Sequence, residues 1–383
     1  MEQTYFVLVE MRGSYSQTLS KYIVMRLVFL IKALDNVGGT ERVTIQVANK
    51  LSLRGHDVHI VSLVGSQKPF FPVLPSVQLH YIHKGSDNSI FPYRDLRRHY
   101  RLKKCFSQLS PDVIIVVDAS RATFKIPACK PYTTIYWEHF NSLMHSKPMQ
   151  RLSRKLAVKY GDCIVTLTEE DAQSYRQKYN TTKVQCIHNP ITIEVPAYVA
   201  PQGHQVVAVG RYTEQKGFDL LLQAWNLLQD KADWQLLIVG KGKKKHTKRM
   251  QDYINQQQLH SSVRLLPPTN NVQRLFASCS IYALSSRFEG LPLVLIEAAA
   301  CGLPAVAFDC PTGPSEIIQH QQTGLLVPAG NVQAFADALR QLMKQESERC
   351  HYSAEAYRYV KEKFAEAAIV DKWEALFNQL KKR

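Results

Sequence analysis

No apolar run in the 383 residues approaches the ~18 that a membrane-crossing helix needs, so no transmembrane segment is expected. No Asp-x-Asp pair occurs anywhere, and with it goes the usual oxygen cradle for a hard Mg²⁺ or Mn²⁺ ion. Eight cysteines, at 105, 129, 163, 186, 279, 301, 310 and 350, show no Cys-x-x-Cys spacing. Several lie inside apolar runs, where thiols behave as small hydrophobes. The expectation is a reduced, cytoplasmic protein without structural zinc or disulfides. The opening Met-Glu-Gln-Thr-Tyr-Phe lacks the basic region of a secretory leader. No internal repeat or low-complexity tract is visible.

What is present points to a large globular α/β protein. Hydrophobic residues make up 45% of the chain, and its length exceeds one ordinary core, which argues for two domains. Lys and Arg number 48 against 32 Asp and Glu, a formal charge of +16. Such a balance favours an anionic partner: nucleic acid, an acidic membrane face or a phosphorylated substrate. The first strong strand begins only at Met25, so residues 1–24 read as an N-terminal extension, or as an additional ordered segment.

From there short apolar strands alternate with helical patterns. Strands are expected at Leu27–Ile31, Val58–Val64, Val113–Val117, Thr133–Trp137, Cys163–Leu167 and Val184–Ile187. After His188-Asn189-Pro190, a hinge-like segment, the pattern restarts with Val206–Val209, Trp234–Val239, Ile281–Leu284, Ala305–Phe308 and Gly324–Val327. Thr40 or an immediate neighbour should cap a helix running to Arg54, and Thr168 to Asp171 reads as a capping box. From Asn331 onward the chain is almost wholly helical. Fully apolar strands between helices mean parallel sheets covered on both faces. Ligands of such folds bind beyond the carboxyl ends of strands. Attention therefore falls on loops 33–40, 118–122, 138–142, 210–217, 240–245, 285–291 and 309–315.

In one of these loops lies the run from Arg287 to Pro304, with Glu289 ahead of Gly290 and Glu297 inside the helical pattern Leu293–Ala300. Pro292 suits the first turn, and Gly302 suits the stop. The first N–H groups of that helix, from Leu291 to Val294, and its positive end suit an anion. Two flanking carboxylates suit hydroxyls, so a ligand with both phosphate and a vicinal diol, a nucleotide sugar, fits. Arg211 and Lys216 leave a strand end and precede a helix; they could grip one diphosphate or stand as solvated cations. Gly38 and Gly39 allow close backbone approach or form an ordinary turn. His139 follows a strand end, where it serves either the ligand or a structural hydrogen bond.

These motifs together resemble a family 4 retaining glycosyltransferase of the GT-B fold. The resemblance rests on Gly38-Gly39-Thr-Glu-Arg, Gly210-Arg211 with Lys216-Gly217, the two-glutamate block, and Gly313-Pro-Ser-Glu-Ile-Ile with Thr323-Gly-Leu-Leu-Val. The variant around Cys310 is similar to transferases of bacterial surface polysaccharide synthesis (capsule, exopolysaccharide or lipopolysaccharide). The resemblance implies two Rossmann-like domains with an interdomain cleft: residues 25–190 on the acceptor side, residues 191–365 for the donor, and a helix at 366–383 packing back on the first. It implies transfer of a sugar from a nucleoside diphosphate sugar, UDP-linked, to a hydroxyl of a lipid-linked or growing glycan, with an α linkage and no metal or cofactor. Glu289, His139, Arg211 and Lys216 would be catalytic. Gly38, Gly39, Arg211, Lys216, Glu289, Gly290, Leu291, Pro292, Leu293, Val294 and Glu297 would bind the donor. One departure is Gly240-Lys-Gly-Lys-Lys-Lys-His, without the family's proline, which reads as a solvated turn. The role of Glu316 is not settled by the resemblance.

Two basic clusters, Arg94, Arg97, Arg98 and Arg101 on one helical stripe and Arg151, Arg154, Lys155 and Lys159 further on, suit either solvent or the anionic cytoplasmic face of an inner membrane. The rival readings are a nucleotide-sugar 2-epimerase or a phosphorylase on the same fold, and a non-catalytic nucleic-acid or membrane binder. No nucleic-acid-binding motif is visible, and no nucleic-acid partner is expected.

Overall fold

The computed structural model describes residues 23–65, 68–83, 93–142, 147–231 and 233–381, together with their side chains except at 93–95 and 121. Positions 1–22 of the expected extension lie outside the described residues.

The first sheet has the order β3-β2-β1-β4-β5-β6-β7, built from β1 (Arg26–Ile31), β2 (Asp57–Ser62), β3 (Gln78–Tyr81), β4 (Val113–Val117), β5 (Thr133–Trp137), β6 (Cys163–Thr166) and β7 (Val184–Cys186). Its central pairs, β1 with β2 and β4, and β4 with β5, are parallel. The intervening helices are α1 (Gly39–Leu53), α2 (Tyr93–Leu109), the short α3 (Ile126–Cys129), α4 (Pro148–Tyr160) and α5 (Glu169–Tyr179). The second sheet has the order β10-β9-β8-β11-β12-β13, from β8 (Gln205–Val209), β9 (Gln235–Val239), β10 (Val263–Leu266), β11 (Ile281–Leu284), β12 (Ala305–Asp309) and β13 (Gly324–Pro328). Its pairs are parallel as well. With it come α6 (Phe218–Leu227), α7 (Lys244–Gln256), α8 (Val272–Ala277), α9 (Leu293–Ala300), α10 (Pro314–Ile317), α11 (Val332–Lys344), α12 (Glu346–Lys363) and α13 (Glu366–Lys381). Two parallel sheets of seven and six strands in these orders make the GT-B architecture.

The chain forms two compact units. The first takes the described residues up to Glu138, then Lys147–Val165 and Val370 onward; the second takes His139–Ser146 and Thr166–Ile369. In the first, Val113–Val117 is buried at every position, as a central strand covered on both faces must be. Trp373 of α13 meets Trp137 edge-on at 4.9 Å between ring centres, and Leu376, Phe377 and Leu380 on the same face are also buried. Beside them Arg54 pairs with Asp371 and Glu374, and His56 Nε2 lies 3.2 Å from Glu374 Oε1. In the second unit Trp225, Phe308 and Phe335 pack with the β8 and β9 side chains.

Four local expectations need correction. Gly38, not Thr40, is the N-cap of α1, and it caps without a side chain; the Glu41 carboxylate folds over it, drawn to the positive end of the helix. Pro292 sits at the N-cap of α9 rather than in its first turn. The turn after Gly240 is shorter than expected: Lys241 and Lys243 precede the helix and Lys244 and Lys245 open α7, though all four stay exposed. Gly240 itself is required: at φ +157°, an added methyl would fall 1.9 Å from the Gly210 carbonyl oxygen. Fourth, Arg154 is not part of a solvated cluster. It shares the inward face of α4 with Ser153 and Ala157, and its Nε donates to Glu138 at 2.6 Å with both side chains buried.

Trp373→Ala removes the largest buried side chain of α13 and should destabilise the protein by about 3–5 kcal/mol. Chemical unfolding monitored by fluorescence checks this; a change below ~1 kcal/mol would mean the helix contributes little to the first core.

Candidate active site

In the second sheet the strand order reverses between β8 and β11, which are direct neighbours. At such a switch point the loops after the two strands turn to opposite faces and leave a crevice between them. The loop after β8 carries Arg211 and Lys216; the loop after β11 carries Glu289.

Those loops are stitched together. Arg287 N–H donates to Gln215 O at 2.8 Å, Gln215 Nε2 to Phe288 O at 3.1 Å, and Ser285 Oγ to Lys216 O at 2.9 Å. Gly217 makes the approach feasible: at φ +61°, a methyl there would fall 2.0 Å from Ser285 O. Lys216 Nζ then reaches Glu289 Oε1 at 2.6 Å, with side-chain exposures of 16% and 7%. Ser286 Oγ donates to the same carboxylate oxygen at 2.5 Å. Charge-assisted bonds of this kind offset the cost of taking Glu289 out of water. Arg287, an alternative partner for the glutamates, pairs bidentately with Asp219 at 2.8 and 2.6 Å instead.

Past Glu289 the chain enters α9. Leu295 and Ile296 are its first residues whose N–H groups bond back, both to Pro292 O, so the first-turn amides of Leu293 and Val294 precede the helical ladder. Leu291 and Pro292 are buried, while Leu293 and Val294 are half-exposed. Glu297 lies one turn further along and is buried, and its carboxylate accepts from Thr192 Oγ1. Gly302 ends the helix at φ +79°. Gly290 passes close to His139: a methyl there would lie 3.0 Å from the His139 carbonyl oxygen. The His139 ring is enclosed although the residue keeps some surface, and burial pushes its pKa down to about 3. It is a neutral imidazole at physiological pH, able both to donate and to accept.

Lys216, Glu289, Gly290 and the α9 start are thus brought together, with Glu297 in the same helix and His139 beside Gly290. Arg211 is exposed, and its guanidinium forms no ion pair among the described residues. Gly38 and Gly39 belong to the first unit. Sequence reasoning missed Ser286, Thr312 and Thr192. Thr312 Oγ1 donates to Glu289 O at 2.5 Å. Ser286 and Thr312 sit in strand-end loops flagged by the alternation, but a hydroxyl's partner is not written in local sequence. Among the described residues no group of three or more His, Cys, Asp or Glu is placed to hold a metal ion. Chemically, the arrangement offers a cation and free helix amides to an anion, with carboxylates within the same loop and helix for hydroxyls.

Residues 203–345 match the family described as glycosyl transferases group 1, and residues 37–195 match glycosyltransferase family 4. An uncharacterized glycosyltransferase of Haemophilus influenzae is 33% identical over 91% of this chain and 98% of its own length. The amylovoran biosynthesis glycosyltransferase AmsD of Erwinia amylovora is 28% identical over 92% of this chain and 99% of its own. Among solved structures, HepE of Anabaena in complex with UDP superposes with a TM-score of 0.78 at 17% identity, covering 93% of this chain and 100% of that one.

The unfolded chain binds a proton at His139 near pH 6.5, and the folded chain only near 3. Stability contributed by the neutral ring is therefore complete above ~6.5 and is lost as pH falls toward 3. His139→Gln should flatten this acid limb in melting temperatures recorded from pH 7 to 4; an unchanged slope would place the ring in water.

Proposed function

The chain belongs to the glycosyltransferases of group 1 and family 4, and we propose that it moves a sugar from a UDP-linked donor to a hydroxyl of a lipid-linked or growing bacterial surface glycan, with the α configuration retained. The observation that carries this reading is the Lys216–Glu289 pair at the start of α9. An ammonium has three donors; Glu289 takes one, leaving others for a diphosphate. The N–H groups of Leu293 and Val294 join it at the positive end of the helix, and the exposed Arg211 closes over the same phosphates. This is charge stabilisation at the leaving group, commonly the largest catalytic contribution. Glu297 holds the ribose diol from within the helix.

Glu289 orients the donor sugar and opposes positive charge developing at the anomeric carbon, and neutral His139 hydrogen-bonds the sugar or the acceptor. Retention follows from same-face substitution: Glu289 is already engaged by Lys216 and Ser286, so it is poorly placed to become a covalent nucleophile. The UDP bound by HepE of Anabaena and the amylovoran role named for the Erwinia relative support the donor and the glycan class. Gly38 and Gly39 are assigned to the donor phosphate and acceptor side. No metal or cofactor is required in this scheme.

For the acceptor, the exposed Arg97 and Arg101 of α2 and the half-buried Arg98 suit an anionic cytoplasmic membrane face. Arg101 also donates to Ile82 O at 2.9 Å, which fixes the stripe on the fold. Arg94, whose side chain lies outside the described residues, completes the stripe in sequence. No described helix is long and apolar enough to cross a membrane.

Lys216→Ala should lower kcat/KM by ~10²–10³, about 2–4 kcal/mol of transition-state stabilisation, in an assay that proceeds in EDTA. Unchanged turnover, or complete loss in chelator restored by Mn²⁺, contradicts the scheme. Sedimentation with vesicles should show binding to anionic lipid that weakens with salt and is reduced in Arg97→Glu/Arg101→Glu; equal binding to neutral vesicles contradicts the membrane role.

A further inference from the structure

Two carboxylates in the second unit exchange backbone partners. Glu316 Oε1 accepts the N–H of Glu169, the first residue of α5, at 2.5 Å. Glu170 Oε2, one residue further along, accepts the N–H of Thr312 at 3.0 Å. Each segment thus caps the backbone of the other. The first contact uses the positive end of α5, and both are charge-assisted. Glu316 is anchored from its other side: Oε2 lies 3.0 Å from His188 Nε2 and 3.7 Å from Lys363 Nζ. Burial raises its pKa, but the bonds from His188 and the Glu169 N–H, with the charges of His188 and Lys363, bring it below the usual carboxylate range.

The loop pinned in this way lies against the Glu289 turn. Thr312 is fully buried and stands at φ +58°, a left-handed conformation that a β-branched residue rarely adopts. Such a conformation persists only where surrounding contacts over-determine it. Here its N–H is held by Glu170 and its Oγ1 by Glu289 O. Asn141 Nδ2 donates to Pro311 O at 2.9 Å, and Gly313, at φ +98°, packs where a methyl would fall 2.5 Å from Gly290 O.

We propose that Glu170 and Glu316 are positioning residues for the donor-sugar side of the site: they fix the loop at Pro311–Gly313, and through Thr312 they set the Glu289 backbone so that its carboxylate faces the sugar. The positioning role rests on the donor-site reading above; the latch itself does not.

The test uses the full chain as Glu170→Ala, Glu316→Ala, their Gln counterparts, which retain a carbonyl oxygen for the N–H, and Thr312→Ala. Hydrogen exchange read without ligand should be faster by ~10-fold or more around 309–313 in Glu170→Ala and around 167–170 in Glu316→Ala, and near wild type in the Gln forms. With UDP-sugar, kcat/KM should fall ~10–100-fold in both Ala variants and recover in the Gln forms, while the Kd for free UDP stays within ~2-fold. Thr312→Ala, which keeps the Glu170 contact, should show the donor loss with exchange largely retained. Unchanged exchange overturns the latch. Unchanged kcat/KM, or equal loss of UDP and UDP-sugar affinity, overturns the positioning role. Should wild type bind no nucleoside diphosphate, the donor-site reading fails and takes the positioning role with it; intact exchange effects would identify that case.

Discussion

A lysine ammonium 2.6 Å from a carboxylate, both largely withdrawn from water, is the contact on which the site depends. Withdrawing the two charges costs more than an isolated pair returns, so the pair persists only inside a network that satisfies both members. Ser286 supplies a second bond to Glu289, and the backbone bonds between the loops after β8 and β11 hold the two partners in register. Nothing in either loop alone would place Lys216 beside Glu289. The reversal of strand order between β8 and β11 does so, because it brings two loops distant in sequence to one crevice.

Glycine makes that proximity tolerable. Gly217 and Gly313 have positive φ at points where another segment of the chain passes too closely for a side chain. Pinning follows the same economy of space: Thr312 tolerates its backbone conformation because carboxylate and carbonyl partners hold it from two sides. Preorganisation of this kind lets a site meet a charged ligand without first rebuilding itself.

Much of the fold was legible locally. Val113–Val117 and Ile281–Leu284 are continuous apolar runs in sequence, Thr133–Trp137 is a β-branched and aromatic one, and all three are strands at those same residues, since central parallel strands are covered on both faces. The edge strands Gln78–Tyr81 and Val263–Leu266 escaped notice because each is half-exposed and carries polar residues. The helix Lys244–Gln256 was hidden by its lysine-rich start. Of the site residues, Lys216 and Glu289 were visible as motif members, but their mutual ion pair was not, because it joins two loops distant in sequence. Arg154 looked solvated because a cation's burial depends on whether a distant residue, here Glu138, turns toward it. Glu316 carried no local sign of its role, because its partners Glu169, His188 and Lys363 come from three separate segments.

A crystal structure of the protein with a nucleoside diphosphate bound tests the central claim most directly. The account predicts diphosphate oxygens within about 2.7–3.2 Å of Lys216 Nζ and of the Leu293 or Val294 N–H, with Glu289 still beside Lys216. A diphosphate seated elsewhere, with that ammonium and those amides left to water, would contradict it.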